Sequence, residues 1–237
     1  MNEGSGTITT RAAIGQAITA VVLIGGMGIG LWVVGQSVDA SAEPKPVTCS
    51  HEHAGKTPEK PPAHEAGRVS GAQLCEALHR PDLAALLGTP GEVVKNANGG
   101  DGTSKSAGDD KEIHTPTGQI ELETYTVHLR ASYDRLTVAT VADLLGDGTG
   151  PRTVLGRPAA FYSDRTLSIS FRLDGSDTSS RPGVPTRGLV VAMDPADGGG
   201  SYELNLWRSD GLVPDDAVVL RVAERILPTI PGFAPAG

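Results

Sequence analysis

Cysteine and histidine are concentrated in one short stretch of the chain. Cys49, His51 and His53 lie within five consecutive positions, and His64 follows in the same Pro-rich region. Thiolate and imidazole groups are ligands that suit zinc or copper. The stretch lacks an H-E-x-x-H motif, and a Pro-rich segment offers few fixed hydrogen bonds to orient ligands. We therefore predict no resident metal or cofactor, and keep His51, His53 and His64 as candidates for loose metal binding by an envelope protein.

The two cysteines, Cys49 and Cys75, are the only ones in the chain. If both lie outside the cytoplasm, the oxidising compartment favours a disulfide between them. The alternative is two unpaired thiols, with Cys75 buried on the apolar side of a helix. The pair is thus a disulfide candidate.

Catalytic and nucleotide-binding motifs are missing from the sequence. There is no G-x-S-x-G, no S-x-x-K, no P-loop and no dinucleotide fingerprint in the part after the apolar segment, and His79 and His128 are isolated. With 28 acidic and 20 basic residues the net charge is −8, which argues against nucleic-acid binding. We predict that the protein is not an enzyme; an extracytoplasmic enzyme or small-ligand carrier is the alternative.

An uncharged, apolar segment near the N-terminus predicts a membrane-spanning helix. Ala12 to Val38 contains no charged residue, and a helix needs roughly 20 apolar residues to cross a bilayer. Arg11 precedes the segment, which places residues 1–11 in the cytoplasm, residues 12–36 in the membrane and the rest outside. The alternative is a signal peptide that is cleaved after Ala42.

Gly26 and Gly30 form a G-x-x-x-G spacing inside this segment. Small residues at this spacing let two membrane helices approach closely, which favours a homodimer. The alternative is that glycine is simply common in membrane helices. The expected partners are the lipid bilayer and an unidentified envelope protein.

The remaining chain divides by composition into a linker and one folded domain. Residues 37–68 are rich in proline and poor in large apolar side chains, so we predict a flexible linker. In residues 69–233, apolar side chains recur at the spacings of helices and strands, and the segment is long enough to bury a core of its own. Residues 234–237 are predicted to be a tail.

Local patterns within 69–233 predict an α+β domain. Two short helices come first, starting behind Ser70 and ending at Gly88. Five or six mainly antiparallel strands follow, and in the one at 120–131 the residues Tyr125, Val127, Leu129 and Ala131 share a face. A helix beginning near Pro214 and stopped by Pro228 closes the chain. The Gly-rich stretch 96–110 is predicted to be a surface loop and so is 174–186.

Several short motifs resemble a known group of proteins. Residues 74–78, 83–88, 156–160 and 227–233, behind a single span and a Pro/His-rich tether, resemble a family of Streptomyces-type membrane-anchored proteins of unknown function. The domain also resembles cell-envelope lipoproteins of the Mog1/PsbP type, which implies an α/β/α sandwich. The sequence departs from that lipoprotein pattern because no lipid attachment site precedes Cys49. The uninterrupted span, the tether and the missing catalytic motifs predict a membrane-anchored, extracytoplasmic binding or interaction domain whose ligand is unknown.

Overall fold

The structure, a computed structural model, describes residues 47–52, 68–105, 112–145, 150–170 and 179–233. The predicted cytoplasmic segment, the predicted span at 12–36, residues 234–237 and most of the predicted linker lie outside these ranges. None of the helices inside them is long and apolar enough to cross a bilayer.

The described residues form an α+β domain in which most strands belong to one sheet. The elements are β1 (Ser50–Glu52), α1 (Gly71–Leu78), α2 (Leu83–Leu87), β2 (Asn96–Gly100), β3 (Thr103–Lys105), β4 (Glu112–His114), β5 (Thr117–Glu121), β6 (Tyr125–Ser132), α3 (Val138–Leu145), β7 (Pro151–Val154), β8 (Arg157–Ser170), β9 (Ser179–Ala192), β10 (Ser201–Arg208) and α4 (Asp216–Ile226), followed by a 3₁₀ turn (Leu227–Thr229).

The main sheet has eight strands in the order β1-β2-β5-β6-β10-β9-β8-β7, and β3 and β4 form a separate hairpin. Seven of the eight pair antiparallel with their neighbours, while β1 pairs parallel with β2. The prediction of a mainly antiparallel sheet is confirmed, but the predicted number of five or six strands is wrong. The short strands at the sheet edges lack the length and alternation that identified the central ones.

Helices α1, α2 and α4 cover one face of this sheet. Alternate residues of the central strands point to that face and join the helices in the main core, including Leu129, Leu204 and Phe161. Tyr125, Val127, Leu129 and Ala131 are all buried there, as their alternation predicted. The predicted strand at 120–131 is interrupted at 122–124, so its two ends belong to β5 and β6. We call this side the helix face.

The first two helices begin and end where the sequence predicts. Ser70 caps α1: its side chain accepts a hydrogen bond from the Gln73 backbone, and the Gln73 side chain accepts one from the Ser70 backbone. Gly88 ends α2 in the left-handed conformation, with a φ of 83°.

Two parts of the predicted loop 96–110 are strands instead: residues 96–100 form β2 and residues 103–105 form β3. Helix α1 lies directly on β2, and a Cβ atom on Gly99 would overlap the backbone of Gly71. The small residues of β2 therefore permit close helix–sheet packing, which a pattern based on large apolar side chains does not detect. Asp101 supports the contact, since its Oδ1 accepts a 2.7 Å hydrogen bond from the Gly71 backbone.

Two further segments also differ from the sequence-based predictions. Ser50–Glu52, within the predicted linker, form the edge strand β1, and the Ser50 hydroxyl donates a 3.1 Å hydrogen bond to the Ala97 carbonyl oxygen. The predicted loop 174–186 is strand from residue 179 onward, so that β8 and β9 form one long hairpin. Two prolines in β9 had favoured the loop prediction.

The C-terminal helix α4 packs through Val219, Val222 and Ile226, which are fully buried. It starts at Asp216, whose carboxylate accepts hydrogen bonds from the Arg187 guanidinium of β9, and ends before Pro228 as predicted. This pairing fixes the start of the helix against the sheet.

Candidate functional site

A row of polar residues crosses the centre of the sheet on the side opposite the helix face. The strand registers place Gln119 of β5 beside His128 of β6, His128 beside Asn205 of β10, Asn205 beside Gly188 of β9, and Gly188 beside Tyr162 of β8. Because side chains alternate along each strand, this row lies back to back with the buried core residues. We call this side of the sheet, over β5, β6, β10 and the adjoining part of β9 and β8, the polar face.

The Tyr162 ring occupies the space next to Gly188 that a side chain at position 188 would otherwise fill. A Cβ atom on Gly188 would come within 2.6 Å of Asn205 Oδ1 and would also overlap the Tyr162 ring. The Tyr162 side chain is 5% exposed, and burial, reinforced by the Glu203 charge, raises the pKa of its hydroxyl. A hydrogen bond between the Asn205 and Tyr162 side chains opposes that shift. Tyr162 is therefore a neutral hydroxyl held in a fixed position.

Arg130 and Glu203 form a loose ion pair in the next row of the same face. Their closest side-chain atoms, Arg130 Nη1 and Glu203 Oε2, are 3.7 Å apart, and the side chains are 35% and 21% exposed. Burial raises the pKa of the Glu203 carboxyl; the Arg130 charge opposes this rise and Asp134 adds to it. Both charged groups thus stay accessible to a ligand while remaining paired.

His128 and Trp207 provide the aromatic part of the polar face. Their ring centroids are 6.5 Å apart, and the ring planes are tilted by 42°. Burial lowers the pKa of His128, and the nearby Arg130 charge lowers it further. The imidazole is accordingly neutral at pH 7, with one nitrogen that donates and one that accepts.

Helix α3 covers only one side of this face. Val138, Val141 and Ala142 pack on a small apolar cluster contributed by β8 and β9, namely Ala160, Tyr162, Val190 and Ala192. The Asp197 carboxylate accepts hydrogen bonds of 2.9 and 3.0 Å from the Val138 backbone and so fixes the start of the helix. In the ranges that the structure describes, no helix packs over the β6 and β10 side.

The polar face combines hydrogen-bonding groups of several types on a rigid surface. Gln119 and Asn205 carry amides, Arg130 and Glu203 carry opposite charges, and Trp207 adds an aromatic ring. Such a set can hold a polar ligand in one orientation, because each group has a defined direction. These groups can donate and accept hydrogen bonds and can stack against a flat ring.

The structure bears on only some of the residues that the sequence singled out. Cys49 and Cys75 form a disulfide with a Cα–Cα distance of 6.0 Å, as the sequence favoured. His51 lies in β1, where its backbone pairs with Gly99. His53, His64, Gly26 and Gly30 lie outside the described residues. Across the part of the chain that the structure describes, no three His, Cys, Asp or Glu residues are grouped as a metal would require.

One family model matches residues 9–148; its description is "Family of unknown function (DUF6215)". The chain belongs to this DUF6215 family. Membership in a family of unknown function is as the sequence predicted, whereas the actinobacterial origin and the Mog1/PsbP likeness stay predictions. The match includes His128 and Arg130 of the polar face of this DUF6215 protein. No curated protein and no solved structure matches the chain.

Sequence reasoning missed most of the polar face of this DUF6215 protein. His128 was recognised only as an isolated histidine on the more polar side of its strand. The available signal was the polar half of the alternation in β10, which holds Glu203, Asn205 and Trp207. The registers that join these residues to Tyr162 and Gln119 depend on long-range strand pairing, which one sequence does not specify.

Proposed function

We propose that this DUF6215 protein is a non-enzymatic binding domain, held outside the cell by an N-terminal membrane anchor, that recognises its ligand with the polar face. The observation that carries the proposal is the in-register row from Gln119 through His128 and Asn205 to Tyr162. Polar side chains aligned across neighbouring strands form a continuous surface rather than scattered exposed groups.

The proposed location is supported by two independent features. The segment from Ala12 to Val38 is uncharged and long enough to span a bilayer. The domain contains the Cys49–Cys75 disulfide, and disulfides persist in oxidising compartments such as the outside of the cell.

A topology experiment tests the location. Protease added to intact spheroplasts should degrade the domain, and thiol labelling before reduction should leave Cys49 and Cys75 unmodified. Protection of residues 69–233 in intact spheroplasts, together with a cytoplasmic control protein, followed by degradation of both after lysis, would reject the proposed orientation.

Site-specific cross-linking tests the binding surface. We would introduce a photo-reactive phenylalanine analogue at Gln119 on the polar face and, as the matched control, at Glu224, which is exposed on α4. Irradiated cells should yield adducts from position 119 and much less from position 224. Equal yields at the two positions would contradict the assignment of the polar face.

A further inference from the structure

Strands β8 and β9 continue beyond the strands that flank them in the sheet. The pairing of β7 with β8 ends at Pro151 and Ala160, and the pairing of β10 with β9 ends at Trp207 and Thr186. Residues 163–170 of β8 and 179–185 of β9 therefore form a two-stranded extension, which we call the arm. Its pairing shifts register between Arg165 and Leu167, a bulge that bends the arm locally.

A cavity of about 620 Å³ lies between the arm and the chain segment that follows β10. Its apolar lining comes from Leu167, Pro182 and Pro185 of the arm and from Val213 of the following segment. We call this cavity the arm groove. Its volume lies in the range of about 300–1,000 Å³ that is usual for sites that bind small ligands or a few side chains.

The apolar side chains of the arm groove are unusually exposed. Leu167 is 68% exposed and Val213 is 58% exposed, and Leu212, next to Val213 in sequence, is 61% exposed. Isolated exposed apolar side chains need no explanation, but several gathered around one concavity are typical of an interaction site.

Positive charge exceeds negative charge around the arm groove. Arg165 and Arg181 line it together with one carboxylate, Asp164. The Asp164 carboxylate accepts a 2.7 Å hydrogen bond from the Arg165 backbone, and the Arg165 guanidinium donates a 3.3 Å hydrogen bond to the Gly183 carbonyl oxygen. This local excess stands out in a chain whose net charge is −8, and it favours a ligand with carboxylates.

The arm groove suits an extended segment of another protein better than a second copy of this chain. A second copy that presented the same surface would add a second pair of arginines to the contact, and an excess of like charge in an interface is unfavourable. Pro182 and Pro185 lack the N–H group that a further strand would need, so the β9 edge is poorly suited to strand addition. A bound segment would then be held by contacts with the side chains of the groove rather than by backbone pairing with β9.

We propose that the arm groove binds an extended acidic segment of a partner protein, with a large apolar side chain against Leu167, Pro182 and Val213 and flanking carboxylates on Arg165 and Arg181. Large apolar anchors in a pocket with charged groups at its rim are the usual source of affinity in such contacts. The arm groove is a surface separate from the polar face, so this proposal does not depend on the ligand of that face.

Peptide binding to the full-length chain in mild detergent tests the proposal. The probe is a fluorescein-labelled, end-capped peptide of sequence Asp-Leu-Asp-Trp-Asp-Leu-Asp, followed by fluorescence anisotropy. One control peptide replaces each Asp by Lys, and the other replaces Leu and Trp by Ser. We expect the first peptide to bind at least about tenfold more tightly than either control, and to weaken as salt is added.

Charge reversal locates the binding surface. The double variant R165E/R181E should lose the tenfold preference and bind the Lys peptide instead. The matched control R135E/R225E makes the same charge change at two exposed arginines outside the groove and should bind as the unmodified chain does. Circular dichroism and thermal unfolding of each variant establish that the fold is retained.

Four outcomes would overturn the proposal. The first is no binding of the Asp peptide up to about 1 mM, and the second is equal binding of all three peptides. The third is undiminished binding of the Asp peptide by R165E/R181E. The fourth is dimerisation in sedimentation velocity that this double variant abolishes, since that result would make a second copy the occupant.

Discussion

The two faces of the central sheet are built from the same strands but have different chemistry. On the helix face, Leu129, Leu204 and Leu189 are fully buried beneath helices and contribute through apolar contact alone. On the polar face, the residues next to them in sequence, such as His128 and Asn205, remain partly accessible; the His128 ring lies near Trp207, and Asn205 forms a hydrogen bond with Tyr162. The helix face holds the main core, whereas the part of the polar face over β6 and β10 leaves polar groups available for a ligand.

The two faces should also tolerate different kinds of substitution. Apolar packing depends mainly on volume, so similar residues can replace one another on the helix face at moderate cost. A hydrogen-bonding row depends on register, because a shift by one residue would turn its side chains to the other face. The positions of the polar side chains should therefore depend more on strand register than the packing of the helix face does.

The largest expected effect is the loss of stability when a side chain of the helix face is truncated. Leu204→Ala removes a side chain that is 1% exposed and should lower the free energy of unfolding by about 2–5 kcal/mol. Asn205→Ala, one residue further along β10, removes the hydrogen bond with the Tyr162 side chain and should cost about 0.5–1.5 kcal/mol. Chemical denaturation of both variants measures this, and similar losses would show that the polar face is part of the core.

A smaller loss of stability is expected at Gly188, which lets the Tyr162 and Asn205 side chains lie close together. Gly188→Ala places a methyl group against Asn205 and the Tyr162 ring, which should cost about 1–3 kcal/mol and displace Tyr162. The control Gly150→Ala meets no atom within 4 Å and should change stability by less than about 0.5 kcal/mol. Thermal unfolding and the near-ultraviolet signal of tyrosine report the two effects; an unchanged Gly188→Ala would mean that the ring is not fixed there.

The smallest effect is a pair of opposite pH dependences on the polar face. Burial raises the pKa of Glu203 above its ordinary value of 4.5, so its contribution to stability decreases as the pH rises from 4.5 through the raised pKa. Burial lowers the pKa of His128 below 6.5, so its contribution is lost as the pH falls from 6.5 through the lowered pKa. Because the two effects act in overlapping pH ranges and have opposite signs, they partly offset each other in the unmodified chain, and unfolding free energies from pH 4 to pH 8 must be compared between single variants.

Single variants assign the two slopes. Glu203→Gln should remove the decrease above pH 4.5 and leave the loss below pH 6.5, whereas His128→Gln should do the reverse. If both variants keep both slopes, titration elsewhere in the domain controls the pH dependence.

Local patterns were enough to predict the helix face but not the polar face. The alternation in β6, the cap at Ser70 and the amphipathic C-terminal helix are all set by neighbours in sequence, and each is found where it was expected. The strand at 96–100 was missed because its glycines serve close packing with α1, which only the folded chain brings near. The polar row was missed because it depends on the register of five strands, and one of the pairings, that of β6 with β10, joins segments that are far apart in sequence.

The disulfide determines how the domain would respond to pulling from its N-terminal side. Cys49 lies immediately before β1, and Cys75 lies in the buried part of α1. A tension applied to the residues that precede Cys49 passes through the sulfur–sulfur bond straight into α1. The three-residue pairing of β1 with β2 is bypassed, so this edge strand would carry no mechanical load and would not peel away under force.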